Sequence, residues 1–129
     1  MKKIVLHFLD GEILKGATWN FSADRPWFYL IQNMTGETTR VDSSQLKAIF
    51  FVKTFEGNSL LRKNYDLSLP GLGTKVKVCF KDGETTFGYT YGLNQERKGF
   101  FLFPSDRYSN NEKVFVLTAA TQEICYPVG

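Results

Sequence analysis

Residues 4–12 read Ile-Val-Leu-His-Phe-Leu-Asp-Gly-Glu, and residues 76–84 read Val-Lys-Val-Cys-Phe-Lys-Asp-Gly-Glu. In each copy a glycine stands four residues after the glutamate, at Gly16 and Gly88. An aromatic run follows in both, at 27–30 and at 100–103. Ordered self-similarity of this kind is typical of a duplicated structural unit. We therefore interpret the chain as one small unit written twice.

Apolar and polar residues alternate at the start of each copy, which predicts a strand with one buried face. The residues predicted to face inward are Ile4, Leu6 and Phe8 in the first copy and Val76, Val78 and Phe80 in the second. Asp-Gly after each strand predicts a tight hairpin, because glycine accepts a positive φ. The glycine in the middle of the next strand predicts a sharp bend, which closing a short sheet requires.

The whole pattern predicts an all-β fold of two tandem, five-stranded, partly open barrels. The first barrel is expected over residues 1–53 and the second over residues 75–129. Between them, residues 54–74 have turn-forming ends and a leucine-rich middle. This composition is too apolar for a free linker, so we expect a connector packed against one or both barrels.

The order of these features resembles the layout of Sm-like and other SH3-like barrels over most of each copy. In Sm-like proteins, RNA contacts come from a loop after the second strand and from an Arg-Gly element near the fourth turn. The later turns here read Val-Asp-Ser-Ser at 41–44 and Leu-Thr-Ala-Ala at 117–120, without Arg-Gly. The resemblance therefore implies the barrel fold, and no RNA-binding residue is transferred.

Charge and cysteine content exclude several functional classes. The chain has 16 basic and 13 acidic side chains in 129 residues, a net charge of +3 that is small for a dedicated phosphate-binding surface. Cys79 and Cys125 lack Cys-x-x-Cys spacing, so neither a zinc site nor a redox motif is predicted. No segment approaches the ~20 apolar residues of a membrane span. We expect a cytoplasmic, bacterial-type protein with reduced thiols and no membrane association.

The titratable residues do not form a catalytic arrangement. His7 is the only histidine, and no nucleophile or orienting group stands at a useful spacing from it. Asp10 with Glu12, and Asp82 with Glu84, are paired carboxylates, but a short hairpin supplies too few oxygens for calcium, and turn hydrogen bonding explains the aspartates better. We predict no enzyme activity and no catalytic, cofactor or metal residues.

An aromatic row is the strongest candidate for a contact surface. Phe87, Tyr89 and Tyr91 alternate on one face of the predicted second strand of the second copy, where the first copy has Lys15, Ala17 and Trp19. Positions at which the copies differ are expected at a surface or an interface. The row Trp19, Phe87, Tyr89 and Tyr91 is then either a partner-binding face or a packing face between the barrels.

The leading functional hypothesis is a non-catalytic interaction module. It would bind a protein partner, or a second copy of itself, through exposed barrel edges. The alternative is a single-stranded nucleic-acid (RNA) binding protein that uses its aromatic row and the lysines of 75–81.

Overall fold

A computed structural model describes residues 1–55, 73–93, 96–104 and 110–125. Ten strands account for most of these residues. They are β1 Lys2–Phe8, β2 Ile13–Thr18, β3 Trp27–Gln32, β4 Thr38–Asp42, β5 Leu46–Val52, β6 Thr74–Phe80, β7 Thr85–Thr90, β8 Gly99–Leu102, β9 Asn111–Leu117 and β10 Thr121–Cys125. Short 3₁₀ helices, Ser43–Gln45 and Thr118–Ala120, precede β5 and β10. The fold is therefore all-β, as predicted, and no helix in these ranges has the length and apolar character to cross a bilayer.

In the part of the chain that the structure describes, the strands form two antiparallel sheets, neither of which closes into a barrel. One sheet has seven strands in the order β4-β3-β2-β1-β5-β9-β8, and the other has three in the order β10-β6-β7. Among the described residues, one isolated bridge, between Tyr89 and Phe103, connects the end of β7 to the residue after β8. The strands of the second half, residues 73–125, are thus divided between the two sheets.

The division arises because β5 of the first half, residues 1–55, pairs with β9 of the second half. Ala48 lies opposite Val116, Ile49 opposite Phe115 and Phe50 opposite Val114. Two tandem, five-stranded barrels were predicted, and this pairing instead runs one sheet across both halves. The predicted connector, 54–74, lies mostly outside the described residues.

Corresponding contacts recur in the two halves. In the hairpin after β1 the Glu12 N–H donates to the Asp10 carboxylate over 2.8 Å, and after β6 the Glu84 N–H donates to Asp82 over 2.9 Å. The Thr18 hydroxyl donates to the Tyr29 carbonyl, as that of Thr90 does to Phe101.

The pairing irregularities of β5 and β10 also correspond. On β5, Lys47 is skipped between Leu46 opposite Phe8 and Ala48 opposite His7. On β10, Gln122 is skipped between Thr121 opposite Phe80 and Glu123 opposite Cys79. Lys47 and Gln122 thus hold the same position in their halves.

One connected hydrophobic core serves both halves. The alternating residues predicted to face inward do so, because Ile4, Leu6, Val76 and Val78 are fully buried. Strand β5 is buried at six of its seven positions, and residues 114–117 of β9 are buried without interruption. Runs of this kind occur where a strand is covered on both faces, so the junction is the most enclosed part of the sheet.

Gly16 and Gly88 allow close approach of backbone. A Cβ on Gly16 would lie 2.2 Å from the Ile31 carbonyl oxygen, and one on Gly88 would lie 2.7 Å from Leu102 Cγ and 2.8 Å from the Phe103 carbonyl oxygen. These distances leave no space for a methyl group. The central glycines identified in the sequence therefore bring β2 against β3 and β7 against the end of β8.

Lys47 joins the halves electrostatically. Its ammonium lies 2.7 Å from Asp82 and 3.2 Å from Glu84, and 4.6 Å from the centroid of the Phe80 ring. The Lys47 side chain is only 9% exposed, whereas the two carboxylates are about half exposed. Burial opposes the charge, but hydrogen bonds to both carboxylates outweigh it and raise the pKa of Lys47. The same contact lowers the pKa of Asp82.

We predict that Gly16→Ala and Gly88→Ala each destabilise the protein by about 3 kcal/mol, because backbone carbonyls must move to admit the methyl group. Urea denaturation followed by circular dichroism measures the effect. Met34→Ala, at a side chain 92% exposed, is the control and should leave the midpoint unchanged. Wild-type midpoints for both glycine variants would contradict the close approach.

We predict that Asp82→Asn with Glu84→Gln costs about 2 kcal/mol at neutral pH, because the buried Lys47 ammonium loses both anionic partners. Lys47→Met, which removes the buried charge and keeps a long side chain, should cost less. The contribution of Asp82 is present above its usual pKa of 3.8 and disappears as the pH falls through its lowered pKa. In urea denaturation, the free energies of unfolding of the wild type and the double variant should therefore differ at neutral pH and converge in strong acid. An equal difference at neutral pH and in strong acid would contradict the role of the ion pair.

Candidate binding surface

The predicted aromatic row does not lie on one exposed face. Trp19 and Tyr91 are each 56% exposed, but Tyr89 is 5% exposed and Phe87 is partly buried. Tyr89 forms the backbone bridge to Phe103, and its buried hydroxyl has no hydrogen-bond partner among the described residues. Tyr91 contacts the Phe103 ring edge-on. Replacing Tyr89 would therefore disturb packing, so it is unsuitable as a surface probe.

A second group of aromatic residues surrounds Trp19. The Trp19 and Tyr29 rings are stacked at a centroid distance of 6.1 Å, and Trp27 meets Tyr29 edge-on at 5.3 Å. The guanidinium of Arg40 lies 4.9 Å from the Trp27 ring centroid, and that of Arg25 lies 5.6 Å from it. We call these five residues, Trp19, Arg25, Trp27, Tyr29 and Arg40, the aromatic–cationic face.

Strands β3 and β4 position this face by simple alternation. Phe28 and Leu30 point into the core and are 1% and 0% exposed, so Trp27 and Tyr29 point to the other side of β3. Arg40 lies opposite Tyr29 in the β3–β4 pairing. Its guanidinium also contacts the Asp42 carboxylate over 3.4 Å, an exposed ion pair that orients the guanidinium more than it stabilises the fold.

Sequence reasoning identified Trp19 but did not assign Trp27, Tyr29, Arg25 or Arg40 to a surface. The sequence did contain a signal that Trp27 and Tyr29 face outward, because residues 27–30 alternate between side chains with and without a polar group. Trp and Tyr carry one, whereas Phe28 and Leu30 do not. The arginines carried no such signal, since their meeting on Trp27 depends on the β3–β4 pairing and on the loop before β3.

In the second half the same sheet side is covered. Phe101 and Phe115 occupy the positions of Tyr29 and Arg40, and they pack with Phe21 and Phe51 of the first half at ring distances of 5.1 to 6.1 Å. Lys113 lies over the Phe51 and Phe101 rings at 5.0 and 4.7 Å. The aromatic–cationic face is thus the first-half counterpart of a surface that the junction fills in the second half.

Strand β4 borders this face and is an edge strand. In the described part of the chain β4 pairs with β3 alone, and β10, at one edge of the three-stranded sheet, pairs with β6 alone. An unpaired edge presents backbone N–H and C=O groups to any strand that approaches. The surface can therefore offer two kinds of contact together: backbone hydrogen bonds along β4 and packing on Trp27, Tyr29 and Arg40.

The residues considered as catalytic or metal candidates have structural contacts. The His7 ring lies 4.5 Å from the Phe50 ring, and burial together with the nearby Lys47 ammonium lowers the pKa of His7. Asp82 and Glu84 hold Lys47, while Asp10 is engaged in its own turn. Within the described ranges no group of three or more His, Cys, Asp or Glu side chains is arranged to hold a metal ion.

Comparison with known proteins places the chain without assigning an activity. Neither the curated proteins nor the solved structures contain a match. A family profile described as "Family of unknown function (DUF6982)" matches residues 1–126. The match spans nearly the whole sequence, and the chain belongs to this family.

Proposed function

We propose that the protein is a non-catalytic interaction module that binds a polypeptide along edge strand β4. The observation that carries this proposal is the coincidence of an edge strand with the aromatic–cationic face. A partner strand added to β4 would gain backbone hydrogen bonds, and its side chains would pack on the rings and guanidinium groups. Trp, Tyr and Arg are the residues most enriched at the energetic centres of interfaces.

The proposal retains the duplicated unit inferred from the sequence. The hairpins, central glycines and bulge positions that recur in both halves support two copies of a five-stranded, barrel-like unit joined side by side. In this arrangement the inner edges, β5 and β9, are used to join the units. The outer edges remain for partners, which is a reason for a small protein to carry the unit twice.

A photo-crosslinking experiment tests the proposal. Arg40 is replaced by p-benzoylphenylalanine, and the purified variant is irradiated in lysate of its native cells before mass spectrometry of the crosslinked peptides. We expect crosslinks to polypeptide at this position, because residue 40 lies on edge strand β4 and its side chain is next to the Trp27 ring. The same substitution at the exposed Lys98, before β8, is the control. Crosslinking no greater at Arg40 than at Lys98 would refute polypeptide binding at this edge.

Single-stranded nucleic acid is the second candidate partner. Stacked Trp19 and Tyr29 rings beside two guanidinium groups are what a base and its phosphate would contact. A groove lined in part by Trp19, Phe21 and Phe101 also has Lys2 and Lys113 in its walls. The net charge of +3 is small, so such binding would depend on stacking more than on phosphate contacts.

If this second function holds, labelled single-stranded RNA or DNA should show increased fluorescence anisotropy with the protein at low and physiological salt. Trp27→Ala should weaken that binding about tenfold, since stacking on one aromatic ring contributes ~1–3 kcal/mol. Tyr91→Ala, at an exposed ring directly after β7, is the matched control. An absence of binding by wild type at both salt concentrations would eliminate nucleic acid and leave the polypeptide.

A further inference from the structure

We propose that the polypeptide bound at β4 is strand β10 of a second copy of this chain. This inference rests on the proposed function, since it names the partner of the same edge. Strand β10 in the second half corresponds to β5 in the first, and β4 corresponds to β9. A β10–β4 contact between copies therefore repeats, between molecules, the β5–β9 junction within one molecule.

The strand registers support the correspondence position by position. Phe28 lies opposite Val41 and Tyr29 opposite Arg40, as Phe100 lies opposite Val116 and Phe101 opposite Phe115. The bulges at Lys47 and Gln122 align β5 with β10 in the same way. Applying the β5–β9 register to the outer edges gives Glu123 opposite Val41, Ile124 opposite Arg40 and Cys125 opposite Thr39 of the next copy.

The ion pair at the β5–β9 junction has a counterpart at the outer edges, in β10 and the β1–β2 hairpin. Within one chain the bulge residue Lys47 reaches Asp82 and Glu84 in the β6–β7 hairpin. The corresponding bulge residue is Gln122, and the corresponding hairpin carboxylates are Asp10 and Glu12. All three are exposed, and the carboxylate of Asp10 has the same turn geometry as that of Asp82. In the assembly, the Gln122 amide of one copy donates to Asp10 and Glu12 of the next.

The outer edges are more polar than the inner ones, which sets the strength of the contact. Positions filled by Ala48 and Phe50 at the junction are Glu123 and Cys125 on β10, and the position of Phe115 is Arg40 on β4. A neutral amide also replaces the Lys47 ammonium. The contact between copies is therefore weaker than the internal junction, and it is reversible. At low protein concentration the copies separate into monomers.

The contact is head to tail, because β10 and β4 are different surfaces. Such an interface is not self-complementary, so each added copy presents a new β4 or β10 edge. Association then continues until it closes into a ring, or it extends as a filament. A closed ring of two copies would require both β10–β4 contacts to form between the same pair of molecules.

Analytical ultracentrifugation over a wide concentration range tests the association and its chemistry. Wild type should form species larger than a dimer as concentration rises. Gln122→Lys, which restores the junction's charge-assisted contact, should tighten the association about tenfold, because such hydrogen bonds are roughly twice as strong as neutral ones. Gln122→Glu should weaken it to a similar extent by repelling Asp10 and Glu12. Circular dichroism confirms that both variants are folded.

A disulfide trap tests the register. In a Cys79→Ser background, Thr39→Cys should crosslink to Cys125 of another copy, because residues directly opposite in antiparallel strands lie within disulfide range. A hydrogen bond with Glu123 raises the pKa of the Cys125 thiol, so oxidation is done at mildly alkaline pH with copper phenanthroline. Thr35→Cys in the exposed β3–β4 turn is the matched control. Ladders of covalent oligomers are expected from Thr39→Cys and not from the control.

The outcomes separate this inference from the proposed function. Crosslinks from position 40 to residues 121–125 of another copy, with a disulfide ladder, support both. Crosslinks to a different protein, with monomers in the centrifuge and no ladder, overturn self-association and leave polypeptide binding at β4. Monomers, no ladder and no crosslinks overturn both.

Discussion

The pairing of β5 with β9 is the constraint on which the rest of the structure depends. It places Phe51 of the first half beside Phe101 of the second, and Phe101 packs in turn on Phe115, which creates the aromatic packing at the junction. It also makes β5 and β9 interior strands, whereas β4 and β10 each pair with a single neighbour in the described part of the chain. Within the first half, alternation along β3 and the β3–β4 pairing then place β4 next to the exposed Trp-rich surface.

Lys47 shows how the junction reconciles charge with burial. A buried ammonium is unfavourable unless it is paired with an anion. Here both anionic partners, Asp82 and Glu84, lie in the hairpin that connects β6 to β7. Asp82 accepts from the Glu84 backbone N–H through one oxygen and from Lys47 through the other. The hairpin and the junction therefore stabilise each other. The half-exposed carboxylates reach solvent, which limits the cost of burying the cation.

Much of the fold was predictable, because it is encoded locally. Alternation located the inward residues of β1 and β6, and Asp-Gly located both hairpins. The order of strands in the sheets was not predictable, because any apolar edge strand can pair with any other. The sequence of residues 46–52 does not specify β9 as the pairing partner of β5. The binding surface could be predicted only in part for the same reason. Trp19 was identified by its residue type, whereas Arg40 belongs to the surface only because strand pairing brings its guanidinium over the Trp27 ring.

The junction also has a consequence for how the chain is made. Ala48 pairs with Val116, so about half the chain must be synthesised between the two strands that form the contact. Contacts between distant segments form slowly, and N-terminal segments fold first during translation. The nascent first half therefore emerges from the ribosome with Phe50 and Phe51 on a strand that is paired with β1 on one side only. Until β9 arrives, the open side of β5 is an exposed apolar edge at which misassembly between nascent chains would begin.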